Sequence, residues 1–232
     1  LFVGHDDGYT NGVRTSYVSP EADIPLWIEN LAGLVPFFPP EGHTRWTMAL
    51  GQSMFAPEDL TIKAAQPADR PYAGWLYGTV GLIADRDTTL DNLQLTIGMV
   101  GPASAAAETQ RVVHRIIHSP TPQGWGNQLQ NEPGIVLSYE HKWRNMIELS
   151  PFGLGVDFTP SVGGSVGNIY THAAVSAMLR IGYDLPSDYG PPVIRPNLPG
   201  SDFFIPSRTF GWYLFTGIEG RAGARNIFLD GS

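Results

Sequence analysis

The 232-residue chain sets 14 Lys and Arg against 22 Asp and Glu, a net charge of −8, and contains no cysteine. That balance argues against nucleic acid as a partner, and the missing thiols exclude disulfides and thiolate metal sites. Only 16% of residues are charged while 11% are aromatic, with 27 Gly and 20 Pro, which suits a membrane β-barrel better than an average soluble domain.

No apolar run approaches the length of a membrane-spanning helix, so any crossing has to be made by strands. Residues 9–18 begin the pattern: Thr10, Gly12, Arg14 and Ser16 share one face, Val13 and Tyr17 the other. A Pro-rich connection follows over 19–42, long enough to read as a functional or extracellular loop. Residues 43–55 alternate clearly, with Trp46, Met48 and Leu50 opposite Arg45, Thr47, Ala49, Gly51 and Ser53. A polar connection over 56–72 carries Lys63. Strands are expected at 72–84 and 90–100; in the second, Leu93, Leu95, Ile97 and Met99 oppose Asn92, Gln94, Thr96 and Gly98.

The segment 101–118 breaks this rhythm. Val112, Val113, Ile116 and Ile117 form an apolar stripe at helical spacing, flanked by Gln110 and His114, which lie four apart and are therefore neighbours on a helix. Ser104 suits an N-cap, and Ser119-Pro120 a stop. The spacing predicts a short amphipathic helix over 103–118, inserted in or at the barrel. Beyond a Gly/Asn/Gln turn region at 123–133, further strands are expected at 135–145, 152–158, 173–183 and 210–224, with a second Pro-rich loop at 185–207. Eight strands are readable.

The non-aromatic face of these strands mixes small residues with opposite charges: Arg14, Arg45, Glu140, Lys142, Arg144, Arg180, Glu219 and Arg221. Either face could formally point inward. A polar lumen and an apolar exterior account best for the strand-end Trp46, Trp143 and Trp212, which read as interface girdles. The fold class is thus an all-β antiparallel transmembrane barrel, one domain over 1–232. Leu1-Phe2-Val3 and the last strand lack partners, so the chain reads as truncated at both ends. One motif misleads: residues 163–167 spell G-x-S-x-G, but without the strand–turn–helix setting of a nucleophile elbow. They read as a hairpin connection, with Ser165 no nucleophile.

With the barrel and helix in place, the chain resembles the outer-membrane lipid A 3′-O-deacylase family. The resemblance rests on DDGYTNG at 6–12, DRPYAGWLY at 69–77, ETQRVVHRII at 108–117 after the Gly101-Pro102 break, GWGNQLQNEPG at 124–134, DYGPP at 188–192 and GRAGARNIFLDG at 220–231. It implies a twelve-stranded barrel in the outer membrane of a Gram-negative bacterium, with a short helix lodged in it near the active site so that its imidazole reaches an ester from the wet interior. It also implies a Ca²⁺-dependent hydrolase that removes the 3′-linked acyloxyacyl chain of lipid A, the lipid anchor of lipopolysaccharide. The implied chemistry is attack by a His-activated water, with bound Ca²⁺ helping to hold the oxyanion and Gln110 as an orienting or substrate-contacting amide. By position His114 matches the family's general base, Gln110 its helix neighbour, Thr10 an active-site hydroxyl and Lys63, across a gap, an active-site lysine. The family's Asn-Asp pair, part of its Ca²⁺ site, would fall before Leu1.

A lone His is weak evidence of catalysis, and on residues alone His114 reads as a helix residue bonded to a lumen carboxylate; the resemblance reverses that preference. His5, His43, His141 and His172 read as ordinary strand-end or wall residues, and His118 as a residue at a helix C-terminus. The competing functions are a non-catalytic outer-membrane pore or structural barrel with a helical plug, and a soluble lipid-binding barrel. The oligomeric state is left open by the sequence, a monomer being favoured.

Overall fold

Period-two alternation folds into an antiparallel meander. The computed structural model describes residues 11–21, 24–33, 35, 38, 42–86, 88–144, 147–149, 153–185 and 210–231. Its strands are β1 (Asn11–Val18), β2 (His43–Phe55), β3 (Ala73–Arg86), β4 (Thr89–Val100), β5 (Glu132–Trp143), β6 (Ile147–Leu149), β7 (Gly155–Gly167), β8 (Tyr170–Tyr183) and β9 (Trp212–Asn226). They form one curled sheet in the order β1-β2-β3-β4-β5-β7-β8-β9, with short β6 paired to β7. Among the described residues β1 and β9 are its two ends.

The faces sort by polarity in the sense that suits lipid. Thr79, Asn92, Gln94, Thr96, Ser138, Glu140, Ser161, Ser165 and Arg180 are buried on the concave side. They satisfy one another there: Thr79 with Thr96 at 3.0 Å, Ser138 with Ser165 at 2.8 Å, and the Arg180 guanidinium on both Asp157 oxygens at 2.6–3.0 Å. Their strand neighbours point the other way and are exposed, among them Val13, Leu50, Ile97, Ile135, Val166, Val175 and Leu214. A wall with a hydrogen-bonded interior and a bare apolar exterior is the reverse of a soluble sandwich.

Among the described residues three short α-helices sit around this wall. α1 (Leu26–Ala32) lies in the first Pro-rich connection, where the sequence suggested only loop, and buries Ile28 against Leu82 on the outward face. α2 (Ala106–Ile117) belongs to the connection between β4 and β5. α3 (Ile227–Asp230) turns inward after β9, capped by Asn226, and stacks Phe228 on Phe55 at 4.0 Å. Trp75, Tyr77 and Tyr170 complete that aromatic cluster on the concave side.

β7 runs straight through Gly163 to Gly167, so the G-x-S-x-G stretch is strand rather than a hairpin connection, and the turn falls at 168–169. Ser165 faces the lumen, paired with Ser138, and there is no elbow to expose it. His5, the DYGPP stretch and most of the second Pro-rich loop lie outside the described residues.

Candidate functional site

The β4–β5 connection leaves the sheet at Gly101, whose φ of +92° is one that L side chains rarely adopt. A 3₁₀ turn, Pro102–Ser104, and a left-handed Ala105 at φ 55° lead into α2. Ser104 is therefore not the N-cap expected from sequence; Ala105 holds that position. The Ser104 hydroxyl instead donates to the Gly101 carbonyl at 2.6 Å, while the Ser104 carbonyl accepts from Gln52 Nε2 at 2.6 Å. His118, left-handed at φ 57°, ends the helix by donating its N–H to the His114 carbonyl.

Strand register decides on which side of the wall this helix lies. Met54 pairs with Gly74, and both share the parity of Met48, Leu50 and Leu76, the exposed apolar face. A Cβ on Gly74 would stand 2.1 Å from Ser104 Oγ and 2.2 Å from Ala106 Cβ, so the helix start is seated on bare backbone. α2 docks at the outward face near the end of β2 and β3. The expected helix lodged in the barrel, its imidazole reaching an ester from a wet interior, is corrected here: α2 lies at the barrel on its outward face, where register puts the bare backbone of Gly74.

The docking stripe of α2 is Ala106, Ala107, Gln110 and His114, packed with Met54, Ala56, Tyr72 and Trp125. Its more apolar stripe is not the buried one: Val112, Ile116 and Ile117 are 50–70% exposed. Small and polar residues face the wall because the backbone approaches too closely at Gly74 for large ones.

Gln110 and His114 sit one turn apart on that stripe, and each is oriented by the segment that follows the helix. His114 Nδ1 lies 2.6 Å from the Pro120 carbonyl oxygen. A carbonyl only accepts, so Nδ1 carries the proton and Nε2 keeps the lone pair. The Trp125 indole N–H donates to Gln110 Oε1 at 2.6 Å. An indole only donates, so the Gln110 amide has one orientation, with its NH₂ turned away from Trp125. That Nε2 is buried and has no hydrogen-bond partner. Burial pushes the Tyr72 phenol up, and the Thr61 hydroxyl and N–H hold the exposed Asp59 carboxyl down.

Lys63 is exposed on the 56–72 connection, tied to the site's own loop because its carbonyl accepts from Asn127 Nδ2 at 2.7 Å and Leu60's from the Gln123 N–H at 2.9 Å. The hydrogen bonds of Gln110 and His114 go to Trp125 and Pro120, and not to its ammonium. Thr10 lies outside the described residues. Sequence reasoning missed Pro120, Trp125 and Gly74; the last two stand inside the motifs at 124–134 and 69–77, which carried the signal without the role. Among the described residues no three His, Asp or Glu side chains converge in a way that could hold a metal ion. The Asn-Asp pair through which the resemblance implies a Ca²⁺ site would fall before Leu1, and the chemistry below is that of the side chains alone.

An apolar-outside, polar-inside antiparallel wall with a His- and Gln-bearing helix on its exterior defines an integral outer-membrane β-barrel protein. The family model described as outer membrane protein LpxR matches residues 1–232. The chain belongs to that family, the lipid A 3′-O-deacylase family its motifs pointed to, and its place is the outer membrane of a Gram-negative bacterium. Among solved structures, LpxR from Salmonella typhimurium superposes with a TM-score of 0.75 over 98% of this chain and 70% of that chain, at 18% sequence identity, a likeness of fold. No curated protein sequence matches.

Proposed function

We propose that this chain is an outer-membrane esterase that hydrolyses the 3′-linked acyloxyacyl ester of lipid A. The observation that carries the reading is the pair of fixed polar atoms on α2: the His114 ring anchored on the Pro120 carbonyl, and the unpartnered Gln110 amide one turn away. Both belong to a helix held against the lipid-facing wall, where an ester of a membrane lipid can reach them.

In this reading His114 Nε2 takes a proton from water, and the water oxygen bonds to the ester carbonyl carbon. The oxyanion accepts a hydrogen bond from Gln110 Nε2–H, a donor already desolvated and pre-aimed by Trp125. Collapse breaks the bond to the sugar oxygen, which takes the proton back from the imidazolium, leaving the free acyloxyacyl acid and a 3′-hydroxyl. Lys63 adds positive charge at the rim of the site.

A helical plug in a non-catalytic barrel fits less well, since α2 lies on the face opposite the lumen. The test is to express the chain in a lipid A-producing host and weigh the extracted lipid A. Loss of one acyloxyacyl mass with the wild-type chain, and not with His114→Ala, is the expected result. An unaltered lipid A profile beside a correctly inserted wild-type barrel would overturn the reading.

A further inference from the structure

We propose that the outward wall below α2 carries a groove for one acyl chain of the lipid undergoing hydrolysis; the inference rests on the esterase reading above. The groove has a volume of about 530 Å³, within the range of small-ligand sites, and its walls include Tyr17, Met48, Leu50, Val80 and Ile97, with Gly78 at its centre. It offers no charged side chain. Its occupant is therefore apolar.

Gly78 makes the trough. It stands between Leu50 on β2 and Ile97 on β4, which are 58% and 56% exposed. Unlike Gly74, it is not demanded by packing: a Cβ there would meet only the Ala49 carbonyl oxygen, at 3.9 Å. An interior glycine weakens a strand and commonly marks where something else approaches the backbone. The groove also leads to the site. Leu50 and Gly78 precede Met54 and follow Gly74 by four residues along their strands, a climb of about 13 Å on one face to the residues beneath α2. The occupant that fits this continuity is a chain of the lipid whose ester reaches His114.

The test uses the full chain in vesicles of outer-membrane lipid, supplied with lipid A carrying long or short acyl chains, with released fatty acid followed by mass spectrometry. Gly78→Phe fills the groove, and the preference for long over short chains, as a ratio of kcat/KM values, should fall about tenfold or more. Gly78→Ala should move it less. A ratio unchanged by Gly78→Phe in a correctly assembled barrel overturns the groove while leaving the esterase intact. Should the wild-type chain release no acid at all, the esterase reading fails, and photocrosslinking decides the groove separately. A diazirine-tailed lipid A should then label Met48, Leu50 and Ile97 in preference to a diazirine-tailed phospholipid, which serves as the ordinary bilayer chain. Equal labelling by both overturns it.

Discussion

The Trp125 indole N–H and the Gln110 carbonyl oxygen meet at 2.6 Å, both side chains almost fully buried. Because Trp can only donate, this bond dictates that the NH₂ end of the Gln110 amide is the one turned away from Trp125 and left to donate. Trp125→Phe keeps a ring against Tyr72, 5.0 Å away in the native pair, but removes the donor. We expect kcat/KM to fall by roughly tenfold, the scale of one lost buried hydrogen bond. Combined with Gln110→Ala, Trp125→Phe should add nothing further, since both act through one amide. Multiplicative losses in the double variant would show that Trp125 acts only by packing.

His114→Ala should lower kcat by about 10²–10⁴, the usual contribution of a general base, with membrane assembly preserved. The measurement is fatty-acid release from lipid A by purified protein, beside the heat-dependent gel shift of a folded barrel. Activity within a few-fold of wild type would remove His114 from the chemistry.

Gly74 is where the helix start touches bare strand. Gly74→Val puts branched carbon where Ser104 Oγ and Ala106 Cβ already stand within 2.2 Å of a Cβ. Overpacking of this kind costs about 1–3 kcal/mol, which moving α2 off the wall relieves more easily than moving a strand. Deacylation should be lost while the barrel still inserts. Retained activity would mean that α2 does not need this seat.

The two faces of β8 should respond oppositely. Val175, 61% exposed on the apolar wall, should not tolerate Arg, at a cost of about 2–4 kcal/mol if it lies near the bilayer midplane. Arg180→Met leaves the Asp157 carboxylate buried without its guanidinium, a loss of about 3–5 kcal/mol. Urea unfolding of the purified variants in lipid vesicles measures both. A stable Val175→Arg barrel would contradict the outward assignment of the apolar face.

Strand by strand, alternation determined most of the wall. The expected span 43–55 coincides with β2, and the apolar sets Met48/Leu50 and Leu93/Ile97 lie on one side as read. Period-two patterning survives because each side chain answers to one face alone. α1 was hidden by its prolines, and the start of α2 by Ala105, whose left-handed backbone no capping rule anticipates. His114, Gln110 and Lys63 were nameable from motifs, but their partners were not. The imidazole of α2 is expected in the wet interior, yet the helix lies outside, and a loop long enough for either placement carries no signal to prevent that misreading. That choice was made by register, which puts Gly74 on the outward face, and by the shape of the backbone there, which admits only small side chains. The proton position on His114 likewise came from a carbonyl six residues away, brought to the ring by the fold of 118–120 rather than by any spacing the sequence displays.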